Sequence, residues 1–140
     1  MKTSLSPVLK AKKNDLDKQE VLISKINQEI HQKFDEISLL QSEMHSFFTP
    51  QTGTIQDFKI LQEQRATFLF QIDFLHEQIS SLKAQRKQAQ NLYQQLYKEY
   101  EKINYIHNEE IKKYLMKIKK QEEKNLDEVA TILFKKKENA

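Results

Sequence analysis

The sequence predicts an all-α protein in which two long helices form an antiparallel coiled-coil hairpin, the second helix much longer than the first. Glycine and proline together number three in 140 residues, too few to turn a chain through a sheet or a many-helix bundle. The single glycine and one of the two prolines share one stretch, Phe48-Thr49-Pro50-Gln51-Thr52-Gly53-Thr54. Proline lacks the N–H that a helix needs and glycine ends helices readily, so one helix should stop here and another start. On both sides of it, apolar residues recur every seventh position, which keeps one helix face against a partner. With 38% hydrophobic and 31% charged residues, the composition fits elongated helices better than a globule. The expected organisation is one helical hairpin over residues 1–140, with a helix over 7–48, a loop over 49–54 and a helix over 55–136.

The first helix is expected to open with Ser6 as N-cap and Pro7 at its first helical position. Leu9, Leu16, Ile23, Ile30, Ile37 and Met44 then follow at seven-residue steps, and Ile26, Leu40 and Phe47 fall three residues after members of that series. Lys12, Gln19 and Lys33 interrupt the second series. Polar residues in a seam weaken it and help to set its register.

Beyond the loop, Thr54 and Asp57 have the spacing of a capping box, with Asp in place of Glu or Gln. One series then runs Phe58, Arg65, Ile72, Ile79, Arg86, Tyr93, Tyr100 and a second Leu61, Phe68, Leu75, Leu82, Ala89, Leu96, Ile103. At a rise of 1.5 Å per residue the helices would be roughly 60 and 120 Å long. A tight reversal near residue 51 would set Met44 beside Phe58 and Leu61, Ile30 beside Ile72 and Leu75, and Leu9 near Tyr93 and Leu96. Past Ile103 the phase shifts to Ile111, Leu115, Ile118, Val129 and Leu133, as a four-residue stutter would cause. This amphipathic arm should have no partner in its own chain and so is expected to find one elsewhere; seam burial set against the backbone ordering cost predicts a marginally stable hairpin.

Chemistry is sparse. There is no cysteine, which excludes thiol nucleophiles, zinc–thiolate sites and disulfides and fits a reducing compartment. His31, His45, His76 and His107 form no i, i+4 ligand pair. The acidic pairs Glu109-Glu110 and Glu122-Glu123 lack any sign of a pocket. The lone glycine precludes a phosphate-cradling loop. No enzyme activity, cofactor or metal is expected. No run of 18 apolar residues occurs, so no membrane insertion is expected, and the opening residues lack an apolar signal core, which points to the cytoplasm.

The net charge of +3 is unevenly spread: residues 1–13 carry four lysines and no acid, and residues 14–53 three bases against seven acids. Acids interleave the later lysines, and no basic region leads into a parallel zipper, so nucleic acid is not an expected partner. A contact with an acidic protein surface suits the basic head better. On the second helix Ile60, Phe70 and Phe74 form an apolar stripe expected to face away from the first helix, a place for a docking surface, a self-association contact or a wider core.

The lead Leu5-Ser6-Pro7-Val8-Leu9-Lys10-Ala11-Lys12-Lys13, followed by Asp15, Asp17 and Glu20, resembles the opening of the FliJ family, the flagellar type III export stalk proteins, and of their YscO relatives. Glu123-Lys124-Asn125-Leu126-Asp127-Glu128-Val129-Ala130, followed by a basic end, resembles the Leu-Asp-Glu tail of that family. The chain departs from the family in lacking tryptophan in the second helix and in the phenylalanine-rich first turns of that helix. The resemblance implies a non-enzymatic cytoplasmic protein, peripheral to the inner membrane at the flagellar base and similar to the rotary-ATPase γ stalk. Its terminal regions would bind the hexameric export ATPase, through Val8, Leu9, Lys12 and Lys13 in the head and Leu126, Asp127, Glu128 and Val129 in the tail. Its other expected partners are the export gate in the membrane and export chaperones, with Ile60, Phe70 and Phe74 as the contact offered by the residues themselves. The alternative is a generic coiled-coil adaptor that self-associates through residues 98–136.

Overall fold

The computed structural model describes residues 3–46 and 53–139. These form two helices, α1 (Ser6–Ser46, 41 residues) and α2 (Ile55–Glu138, 84 residues), packed antiparallel as a hairpin, and no strand occurs among the described residues. Most of the expected loop, with Phe47 and Phe48 before it, lies outside the described residues.

Both helix starts are capped, one as expected and one further upstream. At α2, the Thr54 amide donates to Asp57 Oδ2 and the Asp57 amide donates to Thr54 Oγ1, each at 3.2 Å. This is the reciprocal pair read from the spacing, and it satisfies an otherwise orphaned donor at the helix start. At α1, Ser6 does not cap. Its Oγ instead accepts from the Thr3 amide at 3.0 Å, while Thr3 Oγ1 accepts from the Leu5 amide at 3.2 Å. Thr3 thus takes the role expected of Ser6, with Ser6 as its reciprocal partner three residues on. The hydroxyl-bearing pair Thr3 and Ser6 can satisfy two amides together, where Ser6 alone would serve one. Pro7 lies within the first turn, where its missing N–H costs no helical bond.

The chain divides into two compact units. In Leu16–Gln95 the heptad seam is the core. Ile26, Ile30 and Ile37 of α1 pack with Ile72, Leu75, Ile79 and Ala89 of α2, and Ile23, Leu40 and Leu82 close around them. Leu16 is buried as well. Among the described residues no large side chain is completely enclosed, as two helices meeting along a single seam require. Burying each of the isoleucine and leucine side chains contributes about 1.5 to 3 kcal/mol, so this one line of contacts supplies most of the drive for pairing.

The register differs from that of a tight reversal at residue 51. In this unit Gln19 meets Ala89, Glu20 meets Tyr93, and Asn27 meets Arg86, and the Lys83 ammonium lies 5.6 Å from the centre of the Phe34 ring. In each case α1 pairs further along α2 than the reversal implied, and the smallest slip that keeps seam facing seam is one heptad. Phe58, expected opposite Met44, is exposed. A slip by a whole heptad leaves apolar facing apolar, so the periodicity could not distinguish the two registers.

One polar contact does distinguish them. Gln19 is buried at 8% exposure, and its Nε2 donates to the Ala89 carbonyl at 2.9 Å across the seam. A helical carbonyl has a second lone pair beyond the one its own helix uses, and the small Ala89 side chain leaves room for the amide to reach it. The Gln19 interruption of the α1 seam is therefore matched to the smallest seam residue of α2.

The second unit pairs Met1–Asp15 with Leu96–Ala140. Its packing is thinner. Leu9, Leu96, Tyr100 and Ile103 are half-buried, Lys12 Nζ lies 2.9 Å from Glu99 Oε2, and Thr3 Oγ1 lies 2.6 Å from His107 Nδ1. Leu9 was expected near Tyr93 and Leu96, and Lys12, three residues on, meets Glu99, further along α2 than that alignment allows. Cover from the N-terminal segment also continues past Ile103, where it was expected to end, through Thr3 beside His107. Ile111 is the last half-buried residue, and residues 112–139 are exposed without exception.

Candidate functional site

The candidate surfaces are three: the head of α1, the arm of α2 beyond its last covered residue, and the phenylalanine stripe near the start of α2.

In the head, Val8 and Lys13 are exposed, while Leu9 and Lys12 are half-buried. Leu9 belongs to the seam, which leaves only part of it for a partner. Lys12 is engaged with Glu99, an exposed ion pair of the kind worth about 0 to 1 kcal/mol, so a competing carboxylate could replace Glu99 at little cost. Of the two candidate lysines in the head, Lys12 is tethered and Lys13 is exposed.

The arm carries Leu126, Asp127, Glu128 and Val129, all exposed. Leu126 and Val129, three residues apart, share one face, and Asp127 and Glu128 flank it. Head and tail candidates do not form one patch. Lys12 meets α2 at Glu99 and Leu126 lies roughly 40 Å further along the same helix at 1.5 Å per residue. A partner engaging both must span that distance.

In Leu16–Gln95, the stripe is exposed at Ile60 (51%), Phe70 (73%) and Phe74 (54%). Phe70, Gln71, Phe74 and Leu75 of α2 line a shallow hollow together with Glu36 and Leu40 of α1. The two rings therefore sit at the edge of the seam and offer a cleft formed by both helices, while Ile60 stands apart from it.

Electrostatics adds little tuning. Tyr97 is held above the usual tyrosine range, chiefly because its hydroxyl hydrogen-bonds to the Glu101 carboxylate, whose charge also disfavours the phenolate; slight burial and Tyr100 add to this. That titration lies well above neutral pH. Among the described residues no three or more His, Asp or Glu side chains gather as a metal site would require, and no helix is long and apolar enough to cross a membrane.

Two contacts were not foreseen from the sequence. His107 continues the series of Tyr93 and Tyr100 by seven residues, so extending the heptad count would have placed it on the seam beside the chain start. Thr3 stands three residues before Ser6, the capping spacing, and that signal was available too.

Compared with known protein families, residues 1–139 match the model described as "Flagellar FliJ protein". No curated protein and no solved structure matches the chain.

Proposed function

Because the chain belongs to the FliJ family of flagellar proteins, we propose that it is a non-enzymatic stalk and adaptor of the flagellar type III export apparatus, working in the cytoplasm at the flagellar base against the inner membrane. It binds the hexameric export ATPase through its terminal regions, in the manner of a rotary-ATPase γ subunit. It links that ATPase to the export gate and to export chaperones.

The observation that carries this reading is the state of the arm. Residues 112–139 are continuously helical up to Glu138 yet exposed on every face, and they present Leu126 and Val129 beside two carboxylates. An apolar stripe on an isolated helix is stabilised by a partner's surface, and the flanking acids favour a basic one. The head supplies the complementary element, Val8 and Lys13, on the other helix of the hairpin.

The test is ATP hydrolysis by the cognate export ATPase, measured with and without the protein. The protein is expected to bind and to change the rate. Leu126→Ala together with Asp127→Ala is expected to weaken binding about ten-fold or more, the usual cost of truncating a central contact. No binding and an unchanged rate would overturn the reading.

The gate and chaperone contact is assigned to the cleft at Phe70 and Phe74, whose rings are the kind of anchor that dominates interface energetics. Phe70→Ala with Phe74→Ala is expected to reduce capture of the gate's cytoplasmic domain or of chaperone several-fold while leaving the effect on ATP hydrolysis intact. Loss of ATPase coupling with unchanged gate and chaperone binding would reverse the assignment.

A further inference from the structure

Two shallow hollows open on one flank of the Leu16–Gln95 unit. One is the hollow at Phe70 and Phe74, which Glu36, Leu40 and Gln71 also line. The other is lined by Leu22, Lys25, Ile26 and Glu29 of α1 together with Gln85 and Leu92 of α2, and both leucines are about half exposed. Leu22, Glu29 and Glu36 follow at seven-residue steps on α1, as do Gln71, Gln78, Gln85 and Leu92 on α2. Each set therefore holds one edge of its helix, and the two hollows belong to one groove. Leu40 in one hollow and Ile26 in the other are two heptads apart, which separates the hollows by roughly 21 Å.

The charges of the groove are one-sided. On the opposite flank the helices meet through paired groups: Arg86 Nη1 donates to Asn27 Oδ1 at 3.0 Å, and the Lys83 ammonium sits over the Phe34 ring. Along the groove, α1 presents Glu29, Glu36 and Glu43, and α2 answers with glutamines. No cation stands across from the acids. Lys33 lies half-buried in the seam between Glu29 and Glu36, yet none of the three carboxylates has an ion-pair or hydrogen-bond partner among the described residues.

We propose that this groove takes a basic amphipathic helix of another protein as a third strand. Both edges of the groove repeat every seven residues, a period that a helix can follow and that an extended chain, with its period of two, cannot. The hollows call for apolar side chains about fourteen residues apart on the incoming helix. The unpaired acids call for lysine or arginine at seven-residue steps on the edge turned toward α1. The glutamines both donate and accept, so they suit uncharged polar groups on the other edge. Lys25 borders the Leu22 hollow, which places the basic stretch of the incoming helix toward Phe70 and Phe74. This names the chemistry of the segment that a gate or chaperone would present to the Phe70 and Phe74 cleft, and rests on that assignment only for which protein supplies it.

The test uses the full-length protein and two synthetic helical peptides of about 21 residues, long enough to span the groove. They share one leucine stripe and carry either lysines or glutamates beside it. By fluorescence anisotropy the lysine peptide is expected to bind about ten-fold or more tightly than the glutamate peptide, a preference that shrinks as salt rises. The chain carries a net +3, so overall charge alone would favour the glutamate peptide. Glu29→Lys with Glu36→Lys is expected to reverse the preference. Asp17→Lys with Asp35→Lys, the same change of charge outside the groove, is expected to leave the lysine peptide preferred. Leu22→Ser with Leu92→Ser is expected to weaken its binding several-fold with Phe70 and Phe74 in place, because the helix spans both hollows.

Equal binding of the two peptides, or a preference that Glu29→Lys with Glu36→Lys does not reverse, would overturn the proposal even where gate domain or chaperone is still captured through Phe70 and Phe74. Charge-selective peptide binding without capture of either protein would support it and remove that assignment instead. Self-association of the protein, lost with Leu22→Ser and Leu92→Ser, would give the groove to a second copy and overturn the proposal as well.

Discussion

Ile79→Asp is expected to abolish the cooperative thermal transition of the helix pair in Leu16–Gln95. Ile79 is the most deeply covered side chain of the core, at 3% exposure, and it packs among isoleucines and leucines of both helices. A carboxylate placed there has no cation or amide to receive it. Burial of an unpaired polar group costs several kcal/mol and that of a charge more, while an average domain is stable by only about 5 to 15 kcal/mol. Here the core is one seam with no completely enclosed side chain, so the reserve lies at the lower end. Once α1 separates, α2 also loses its cover, and an unsupported helix of that length frays. Circular dichroism should show ellipticity falling without a sigmoidal transition. Ile79→Val, which removes one methylene, should keep the transition at a cost of about 0.5 to 1.5 kcal/mol. If Ile79→Asp melts within about a degree of the parent, the seam is not where the stability lies.

How far the sequence shows this fold depends on which interaction each feature rests on. Faces were legible: every buried residue lies on a heptad series read from spacing alone, from Leu16 to Ala89, because a helix turns by a fixed angle and apolar residues report which side is covered. The Thr54–Asp57 box was legible for the same reason, being a contact between residues three apart. Register was not. The Leu16–Gln95 seam looks alike after a slip of seven residues, and the loop that could have settled the count falls largely outside the described residues. Gln19 and Ala89 carried the missing information, since a buried amide needs an acceptor and a small residue to approach it, but that match emerges only when both helices are in place. The same slip decides which α1 residues lie near Phe70 and Phe74, namely Glu36 and Leu40, while a whole-heptad slip leaves the faces of both helices unchanged. The partner assignments rest on the family and on exposed chemistry, and geometry adds to them the separation of head from tail.

Gln19→Glu is the most direct probe of what holds the register. The substitution keeps shape and volume but exchanges the NH2 group, which donates to the Ala89 carbonyl at 2.9 Å, for a carboxylate oxygen that can only accept. At neutral pH two oxygens would then face each other in a nearly buried site, so the hydrogen bond is lost and the charge is left uncompensated, a loss of several kcal/mol. Protonation repairs the contact, because the acid O–H can donate where the amide did. The folded-state pKa of the introduced carboxyl should therefore rise above the ordinary glutamate value of about 4.3. The contact is fully present below the unfolded pKa and is lost as pH rises through the raised folded one. Measured against the parent at each pH, the stability deficit should be large at pH 7 and shrink on acidification. Gln19→Leu gives the complementary result. It removes the amide without burying a charge, leaves an apolar layer that fits either heptad register, and so should preserve stability while loosening alignment. Cysteine pairs read the alignment directly: Glu20→Cys with Tyr93→Cys reports the register seen here, and Glu20→Cys with Arg86→Cys the one a heptad away. In the Gln19→Leu background the second pair should gain cross-linking at the expense of the first. Equal alignment in both backgrounds, with no pH-dependent deficit for Gln19→Glu, would place the register determinant elsewhere on the seam.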